Sequence, residues 1–166
     1  MQLAAQSGAH VVAVARDEGH HRTLRLLGPR ETHTDLSAVT ARVHGAVDML
    51  GGTYLVETYA LLHSGATVIA LGHSAGADEH FPYGAFVADP ATSGRSITSF
   101  FLGSEADLAG EMTLLAADEQ LQTGDLDVRN WTGLADWIEQ GAPRPSGRVV
   151  FRVDHTGSPG GPAPRA

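Results

Sequence analysis

VHGAVDMLGGTYLVETYALLHSGATVIALGHSAG, residues 43–76, is the stretch of the chain that decides the fold. Its short apolar run at 45–50 predicts a strand, and the glycine pair Gly51-Gly52 then leads into a helix-forming segment at 54–63. The β-branched run ATVIAL at 66–71 predicts a second, buried strand. We therefore interpret residues 43–76 as a strand–helix–strand unit.

The ends of this helix carry their own signals. Thr53 stands where an N-cap is expected, and Ser64-Gly65 predicts the C-terminal stop of the helix. The small residues GHSAG at 72–76 form a loop directly after the second strand. Because ligands bind at the carboxyl ends of parallel strands in open α/β sheets, this loop and the glycine pair are candidate ligand-binding turns.

Strand patterns and helix patterns alternate along the rest of the chain. The strand candidates are 10–16, 31–35, 95–103, 126–129 and 148–153. The helix candidates are 1–6, 17–27, 105–122 and 131–140, and residues 36–42 fit either a short helix or a loop. This alternation predicts a mostly parallel sheet with helices on both faces over residues 1–153. A glycine- and proline-rich tail at 154–166 is expected to be disordered.

The composition excludes several classes of function. The chain has 166 residues, a net charge of −8, no cysteine, and only arginine among its 11 basic residues. A disulfide, a thiolate nucleophile, thiolate-bound zinc and a Schiff-base lysine are therefore ruled out. The acidic balance disfavours nucleic acid and anionic membrane surfaces as partners. No apolar run approaches the ~20 residues that span a bilayer, and a cytoplasmic protein is expected.

The order of these segments resembles the cofactor-binding domain of the medium-chain dehydrogenase/reductase superfamily. The quinone-oxidoreductase-like branch, which stands beside the zinc-type alcohol dehydrogenases, is the most similar. The residues that carry the resemblance are QLAAQSGAHVVAVAR, VDMLGG before a helix, LLHSGATVIALG, SITSFFLGS and SGRVVFRV. Each piece alone is a weak signal, but their order and spacing together extend over residues 2–153.

The resemblance implies a Rossmann-like, doubly wound sheet with the strand order 3-2-1-4-5-6. On that scheme residues 10–16 are strand 2, 31–35 strand 3, 45–50 strand 4, 66–71 strand 5 and 97–102 strand 6. The sequence has no counterpart of strand 1, of the glycine-rich turn that follows it, or of the family's N-terminal catalytic domain. The resemblance therefore implies an N-terminally truncated copy.

The absence of strand 1 leaves three alternatives open. The chain is a fragment whose start codon was placed too far downstream, or strands 2 and 4 close up directly, or a partner chain fills the gap. The glycine-rich turn of the family brings backbone N–H groups and a helix N-terminus to the pyrophosphate. Without it, the sequence predicts only the nicotinamide half of a dinucleotide site.

The resemblance implies a set of cofactor-binding residues at the carboxyl ends of the strands. They are Arg16, Leu50, Gly51, Gly72, His73, Ser74, Phe101, Leu102, Gly103 and Arg148. Arg16 would favour the 2′-phosphate of NADP(H), and the small residues would let the backbone face the nicotinamide ribose. Ordinary explanations stand beside these roles: solvated charges for the arginines, turn chemistry for the glycines, and core packing for the side chains of Phe101 and Leu102.

The nine histidines raise the question of a metal site. His73 and His80 flank Asp78 and Glu79 in one loop, but nothing in this spacing fixes a ligand geometry, and no metal, zinc included, is expected. Ser74 lacks the G-x-S-x-G frame of a nucleophile elbow. No catalytic residue is therefore predicted.

Two functions of different classes remain open at the level of sequence. The first is an NADP(H)-dependent oxidoreductase of the quinone-reductase or enone-reductase type, acting on a small molecule and present as a truncated copy. The second is a cofactor-free, repurposed fold, either a dimeric binding module or a cyclase or isomerase of secondary metabolism. A homodimer is compatible with both. A remnant without function is a third alternative.

Overall fold

The computed structural model describes residues 1–124, 126–142 and 148–153, and the predicted tail at 154–166 lies outside these ranges. The helices are α1 (Gln2–Gln6), α2 (His21–Leu26), α3 (Thr53–Leu61), α4 (Leu108–Ala117) and α5 (Leu134–Glu139). The strands are β1 (Val12–Val14), β2 (Glu31–His33), β3 (Val43–Asp48), β4 (Leu62–Ala70), β5 (Ser96–Ser99), β6 (Leu126–Asn130) and β7 (Arg148–Arg152). Short 3-10 helices lie at Glu18–His20, Leu36–Ala38, Leu102–Ser104 and Trp131–Gly133. Within the described ranges, no helix has the length and apolar character needed to cross a membrane.

The strands form three separate parallel sheets rather than one. β1 pairs with β2, β4 lies between β3 and β5, and β6 pairs with β7. The α/β class and the parallel pairing are therefore confirmed, while the single continuous sheet is not formed by the described residues. The undecided segment at 36–42 begins with the 3-10 helix Leu36–Ala38.

The break between the sheets β1–β2 and β3–β4–β5 falls where strand 1 would lie. The pair β1–β2 reproduces strands 2 and 3 of the expected order, and β3–β4–β5 reproduces strands 4, 5 and 6. Among the described residues, no hydrogen-bonded ladder joins β1 to β3. The alternative in which strands 2 and 4 close up directly is therefore wrong for this structure.

The main hydrophobic core lies between α3 and one face of the sheet β3–β4–β5. Leu62 and Val68 of β4 are completely buried, and they pack with Leu55 and Tyr59 of α3. Phe81, which follows the loop after β4, meets the ring of Tyr59 edge-on at 5.8 Å between centroids. The strand–helix–strand unit that decides the fold therefore also supplies the core.

The boundary between α3 and β4 differs from the prediction. Thr53 is the first residue of α3, and the N-cap is Gly52, whose φ of 61° is a left-handed conformation that glycine adopts readily. Ser64 and Gly65 do not end the helix, because β4 already begins at Leu62. The backbone N–H of Gly65 donates to the carbonyl of Ser93 at 2.8 Å, so this pair forms an irregularity within a strand instead of a helix stop.

The fourth helix is also shorter than the segment 105–122. The side chain of Asp107 accepts a hydrogen bond from the backbone N–H of Gly110, and this cap begins α4. The extended backbone of Asp118 ends the helix, and the Asp118 carboxylate accepts a hydrogen bond from the N–H of Gln120 at 2.9 Å. Aspartates that bond to nearby backbone groups therefore define both ends.

Among the described residues, none covers one face of the sheet β3–β4–β5, against the expectation of helices on both faces. Val47 and Ile69 are partners in the register of β3 and β4, and their side chains are 62% and 37% exposed. Met49 and Leu71, which directly follow β3 and β4, are 64% and 45% exposed. We call Val47, Met49, Ile69 and Leu71 the open face.

Candidate functional site

The carboxyl ends of β3 and β4 are joined by backbone hydrogen bonds just beyond the regular ladder. The N–H of Leu71 donates to the carbonyl of Asp48, and the N–H of Ala75 donates to the carbonyl of Leu50, both at 2.8 Å. A Cβ atom on Gly72 would lie 2.7 Å from the carbonyl oxygen of Met49. The two strands can therefore approach this closely only because residue 72 is a glycine.

Asp48 holds the turn after β3 in place. Its side chain is buried, with 6% of the residue exposed, and it accepts hydrogen bonds from the N–H of Gly51 at 2.7 Å and of Leu50 at 3.4 Å. A buried carboxylate is stable only when it has such donors. Asp48 therefore fixes the conformation that leads the chain into α3.

Glu79 closes the turn from the opposite side. Its carboxylate accepts a hydrogen bond from the N–H of Gly52 at 2.9 Å, and the same oxygen lies 2.9 Å from Nε2 of His73. The Gly52 N–H and the nearby His73 ring lower the pKa of Glu79 below its usual value. An acidic side chain 27 residues away in the sequence thus caps the N-terminus of α3.

The imidazole of His73 lies against the glycine turn. Gly51 has a φ of 68°, and a Cβ atom there would collide with Cδ2 of the His73 ring. The side chain of His73 is 54% exposed, and its second ring nitrogen, Nδ1, has no hydrogen-bond partner among the described residues. One edge of the ring therefore lies beside the Glu79 carboxylate, and the side chain is half exposed.

Five of the residues implied by the resemblance come together at this edge of the sheet. They are Leu50, Gly51, Gly72, His73 and Ser74, and the Ser74 hydroxyl donates to the carbonyl of Met49 at 3.1 Å. Phe101, Leu102 and Gly103 follow β5 at the same edge, since β4 and β5 are parallel neighbours. The side chains of Phe101 and Leu102 are 75% and 55% exposed, so they are not packed in a core.

Arg16 and Arg148 lie on other sheets. Arg16 is exposed and comes two residues after β1, and Arg148 begins β7. Arg16 is followed by a surface around α2 that is lined by Glu18, His21, Arg22, Arg25 and Leu26. The arginines of that surface are suited to contact an anionic group. Arg148 pairs with Leu126 in the sheet β6–β7, which is separate from the sheet β3–β4–β5.

Sequence reasoning missed the two carboxylates that organise the site. Asp48 follows an apolar strand and stands directly before a glycine turn, which is a recognisable signal for a side chain that caps a turn. Glu79 was considered only as a metal ligand, together with His73, Asp78 and His80. In the part of the chain that the structure describes, no three histidine or acidic side chains converge on a point that could hold a metal ion.

The free groups at this edge suit a neutral, hydrogen-bonding ligand better than an anion. The N–H groups of Gly51 and Gly52 are already bonded to Asp48 and Glu79, so they are not free to bind a phosphate. Gly72, His73 and Ser74 are exposed and offer backbone groups, one imidazole and one hydroxyl. These groups suit the hydroxyl and amide groups of a ligand.

Comparison with solved structures identifies the fold. The chain superposes on a quinone oxidoreductase from Pseudomonas syringae with a TM-score of 0.68 and 17% identity, over 90% of this chain and 51% of that one. An acetophenone reductase from Geotrichum candidum in complex with NAD gives 0.69 and 18%, over 90% and 43%. The protein CAD from Helicobacter pylori, complexed with NADP(H), gives 0.65 and 14%, over 92% and 43%.

These likenesses confirm the Rossmann-like α/β fold that the sequence predicts. The chain spans about half the length of the solved structures that it matches, 51% and 43% of the first two. No family model matches the sequence, and no curated protein matches it. At identities of 17% and 18%, the comparison shows the fold and leaves the activity to be argued from the site.

Proposed function

We propose that the chain is the cofactor-binding part of an NADP(H)-dependent oxidoreductase of the quinone-reductase or enone-reductase type. The observation that carries the proposal is the cluster at the carboxyl ends of β3 and β4, in a fold whose solved neighbours include an acetophenone reductase in complex with NAD and the protein CAD complexed with NADP(H). In open α/β sheets the crevice outside these strand ends is the ligand site. The bound cofactor would supply a hydride to a small-molecule acceptor.

The nicotinamide would lie on Gly72, His73 and Ser74. Gly72 lets the loop lie close against Met49, and the half-exposed His73 ring lies beside Glu79, with Nε2 2.9 Å from the carboxylate. The exposed turn Phe101–Gly103 after β5 would form the neighbouring wall. These residues bind and orient the ring, and the reducing chemistry belongs to the cofactor.

The adenosine end would lie beyond β1. Arg16, with the basic surface around Arg22 and Arg25, is suited to the additional phosphate that distinguishes NADP(H) from NAD(H).

A quinone or an enone is the proposed acceptor class. The open face supports a homodimer as the working assembly, because exposed apolar surface of this kind is characteristic of interfaces. We further propose a cytoplasmic location and one folding unit over residues 1–153.

A titration with NADPH tests this proposal. The fluorescence of Trp131 and Trp137 and of the cofactor itself should change in a saturable manner at or below millimolar NADPH, which corresponds to roughly 4 kcal/mol of binding free energy. NADH should bind more weakly than NADPH. A well-folded chain that gives no saturable signal with either cofactor would contradict the proposal.

One observation favours the cofactor-free alternative. The two N–H donors of the glycine turn are occupied by the chain's own carboxylates, Asp48 and Glu79, so the turn is stable without a ligand. A binding module or an isomerase could use the same crevice without NADP(H). In that case the fluorescence titration would stay flat, and the isolated chain would be a stable dimer.

A further inference from the structure

Helix α4 is apolar on most of its surface and yet has no buried residue within the described structure. Its sequence, LAGEMTLLAA, contains one charged side chain, Glu111, and the side chains of Met112 and Leu114 are 57% and 70% exposed. A helix with so little polar surface is normally buried. The helix therefore leaves in solvent a surface that a folded protein usually removes from water.

One side of α4 carries a regular apolar row. Leu108, Met112 and Leu115 follow the spacing i, i+4, i+7, which places them on one side of an α-helix. We call these three residues the helix stripe. It is about 10 Å long, because each helical residue adds about 1.5 Å. Leu114 projects from another side, roughly 200° around the helix from Met112.

The open face has the complementary deficiency, because it is a sheet surface without a helix. Val47 and Ile69 form one row across β3 and β4, and Met49 and Leu71 follow at the carboxyl ends of the same strands. Phe100, which directly follows β5 and is 44% exposed, borders the open face on the third strand. Two residues along a strand span about 7 Å and two strand spacings about 10 Å, so the open face and the helix stripe are similar in size.

The connection from β5 to α4 is a hydrogen-bonded turn that leaves both surfaces exposed in the same chain. The carbonyl of Phe101 accepts hydrogen bonds from the N–H of Ser104 at 3.0 Å and from the Ser104 hydroxyl at 2.7 Å. The N–H of Glu105 donates to the carbonyl of Leu102 at 3.1 Å. With the turn held in this way, the chain does not cover its open face with its own helix.

We propose that α4 of a second copy of this chain covers the open face, and that the two copies exchange this contact reciprocally around a two-fold axis. Each copy carries both surfaces, as a self-complementary dimer requires. Parallel sheets are normally covered by helices on both faces, and α4 is a helix with an apolar side to cover them.

The exposed apolar surface is large enough for such a dimer. The helix stripe, the open face and Phe100 together provide on the order of 800 Å² per copy, which is the area that each partner buries in a standard interface. The inference names the contact surfaces of the homodimer proposed above, and it requires no cofactor.

Sedimentation velocity of point variants tests the role of α4. Met112→Lys places a charge in the proposed contact and should raise the Kd of the dimer about tenfold or more, because an unpaired charge is costly to bury. Leu114→Lys is the matched control on another side of the same helix, and it should change the Kd by less than about twofold. Both side chains are exposed in the single chain, so circular dichroism should show that both variants fold. Equal effects of the two substitutions would overturn the proposal.

Cross-linking locates the contact, because the chain has no cysteine of its own. Val47→Cys chains mixed with Met112→Cys chains should form mixed covalent dimers with a short bis-maleimide reagent, whereas Val47→Cys mixed with Leu114→Cys should form few. Predominant cross-links between two Val47→Cys chains would mean that two open faces pack together, and would overturn the proposal. So would a monomeric, internally cross-linked product of the double variant Val47→Cys/Met112→Cys, because the helix would then cover the open face of its own chain.

The outcomes separate this inference from the proposed function. Wild-type protein that binds NADPH but stays monomeric would overturn the exchange of α4 and leave the cofactor site intact. A dimer that cross-links between positions 47 and 112 but binds no NADPH would support the exchange and contradict the reductase. A dimer that is insensitive to Met112→Lys uses another surface and would overturn the exchange.

Discussion

Gly72 shows how a single missing methyl group determines the geometry of the candidate site. A Cβ atom there would lie 2.7 Å from the carbonyl oxygen of Met49, whereas a Cβ atom on Gly45 of β3 would meet the carbonyl of Thr67 at an ordinary 3.8 Å. Gly72→Ala should therefore lower the free energy of unfolding by about 1–3 kcal/mol, as overpacking does. Gly45→Ala is the matched control and should be nearly neutral. Denaturant unfolding measures both, and equal effects would contradict the close approach of the two strands.

Glu79 should make the stability of the protein sensitive to acid. Its pKa is lowered in the folded protein by the Gly52 N–H first and by His73, relative to the usual 4.5. The stabilisation from the charged carboxylate is therefore present above about pH 4.5 and is lost as the pH falls through the lowered pKa. The melting temperature should fall less between pH 7 and pH 3 in Glu79→Gln than in the wild type. Glu57→Gln, on the exposed side of α3, serves as the control, and a Glu79→Gln curve that follows the wild type would refute the cap.

Arg16 should decide between the two nicotinamide cofactors. A hydrogen bond to a charged phosphate is worth roughly 1.5–3 kcal/mol, so Arg16→Ala should weaken NADPH binding by about tenfold or more. Binding of NADH should change little, since NADH lacks that phosphate. Arg30→Ala removes another exposed arginine, which directly precedes β2, and serves as the control. Equal losses for NADPH and NADH in Arg16→Ala would place the 2′-phosphate elsewhere.

At the scale of elements, the open face brings four exposed apolar side chains together on one sheet. Val47 on β3 is 62% exposed and pairs in register with Ile69 on β4. Apolar patches of this kind promote association, so we expect sedimentation velocity to show a concentration-dependent dimer. Val47→Lys should shift the protein toward monomer with little change in stability, because the side chain is not in the core. A wild-type protein that stays monomeric over the accessible concentration range would contradict this role.

The element order was predictable from the sequence, but the sheet architecture was not. β-Branched runs and glycine turns identify β3, α3 and β4 because they depend on local propensity and periodicity. The start of β4 was predicted too late, since Ser64 and Gly65 carry turn chemistry that a contact with Ser93 converts into a strand irregularity. Whether the sheet is continuous depends on strand pairings between distant segments, which local patterns do not specify.

In the candidate site, too, the sequence predicted what depends on local signals and missed what depends on contacts between distant residues. Gly72, His73 and Ser74 were implied by their place after a buried strand, at the edge where ligands bind in open α/β sheets, and their role stays a prediction. The carboxylates of Asp48 and Glu79 were missed because their role is a hydrogen bond to the glycine turn. For Glu79 that partner, Gly52, is 27 residues away, and no local pattern announces such a contact.

At the scale of the whole molecule, the chain combines a well-formed edge at the carboxyl ends of β3 and β4 with a divided sheet. The ends of β3, β4 and β5 lie together, while β1, which would carry the adenosine end, belongs to a separate two-stranded sheet. The chain also spans about half the length of its structural neighbours. We therefore expect weak cofactor binding centred on the turns after β3 and β4.

The most direct test of this account is a map of amide chemical shifts during a titration of ¹⁵N-labelled protein with NADPH. The account predicts saturable shifts for Gly72, His73 and Ser74 and for the turn at Phe101–Gly103, with smaller shifts around Arg16. Signals from the opposite ends of the strands, such as His44 and His63, should stay in place. A folded spectrum without saturable shifts up to millimolar NADPH, or with shifts confined to residues outside these turns, would contradict it.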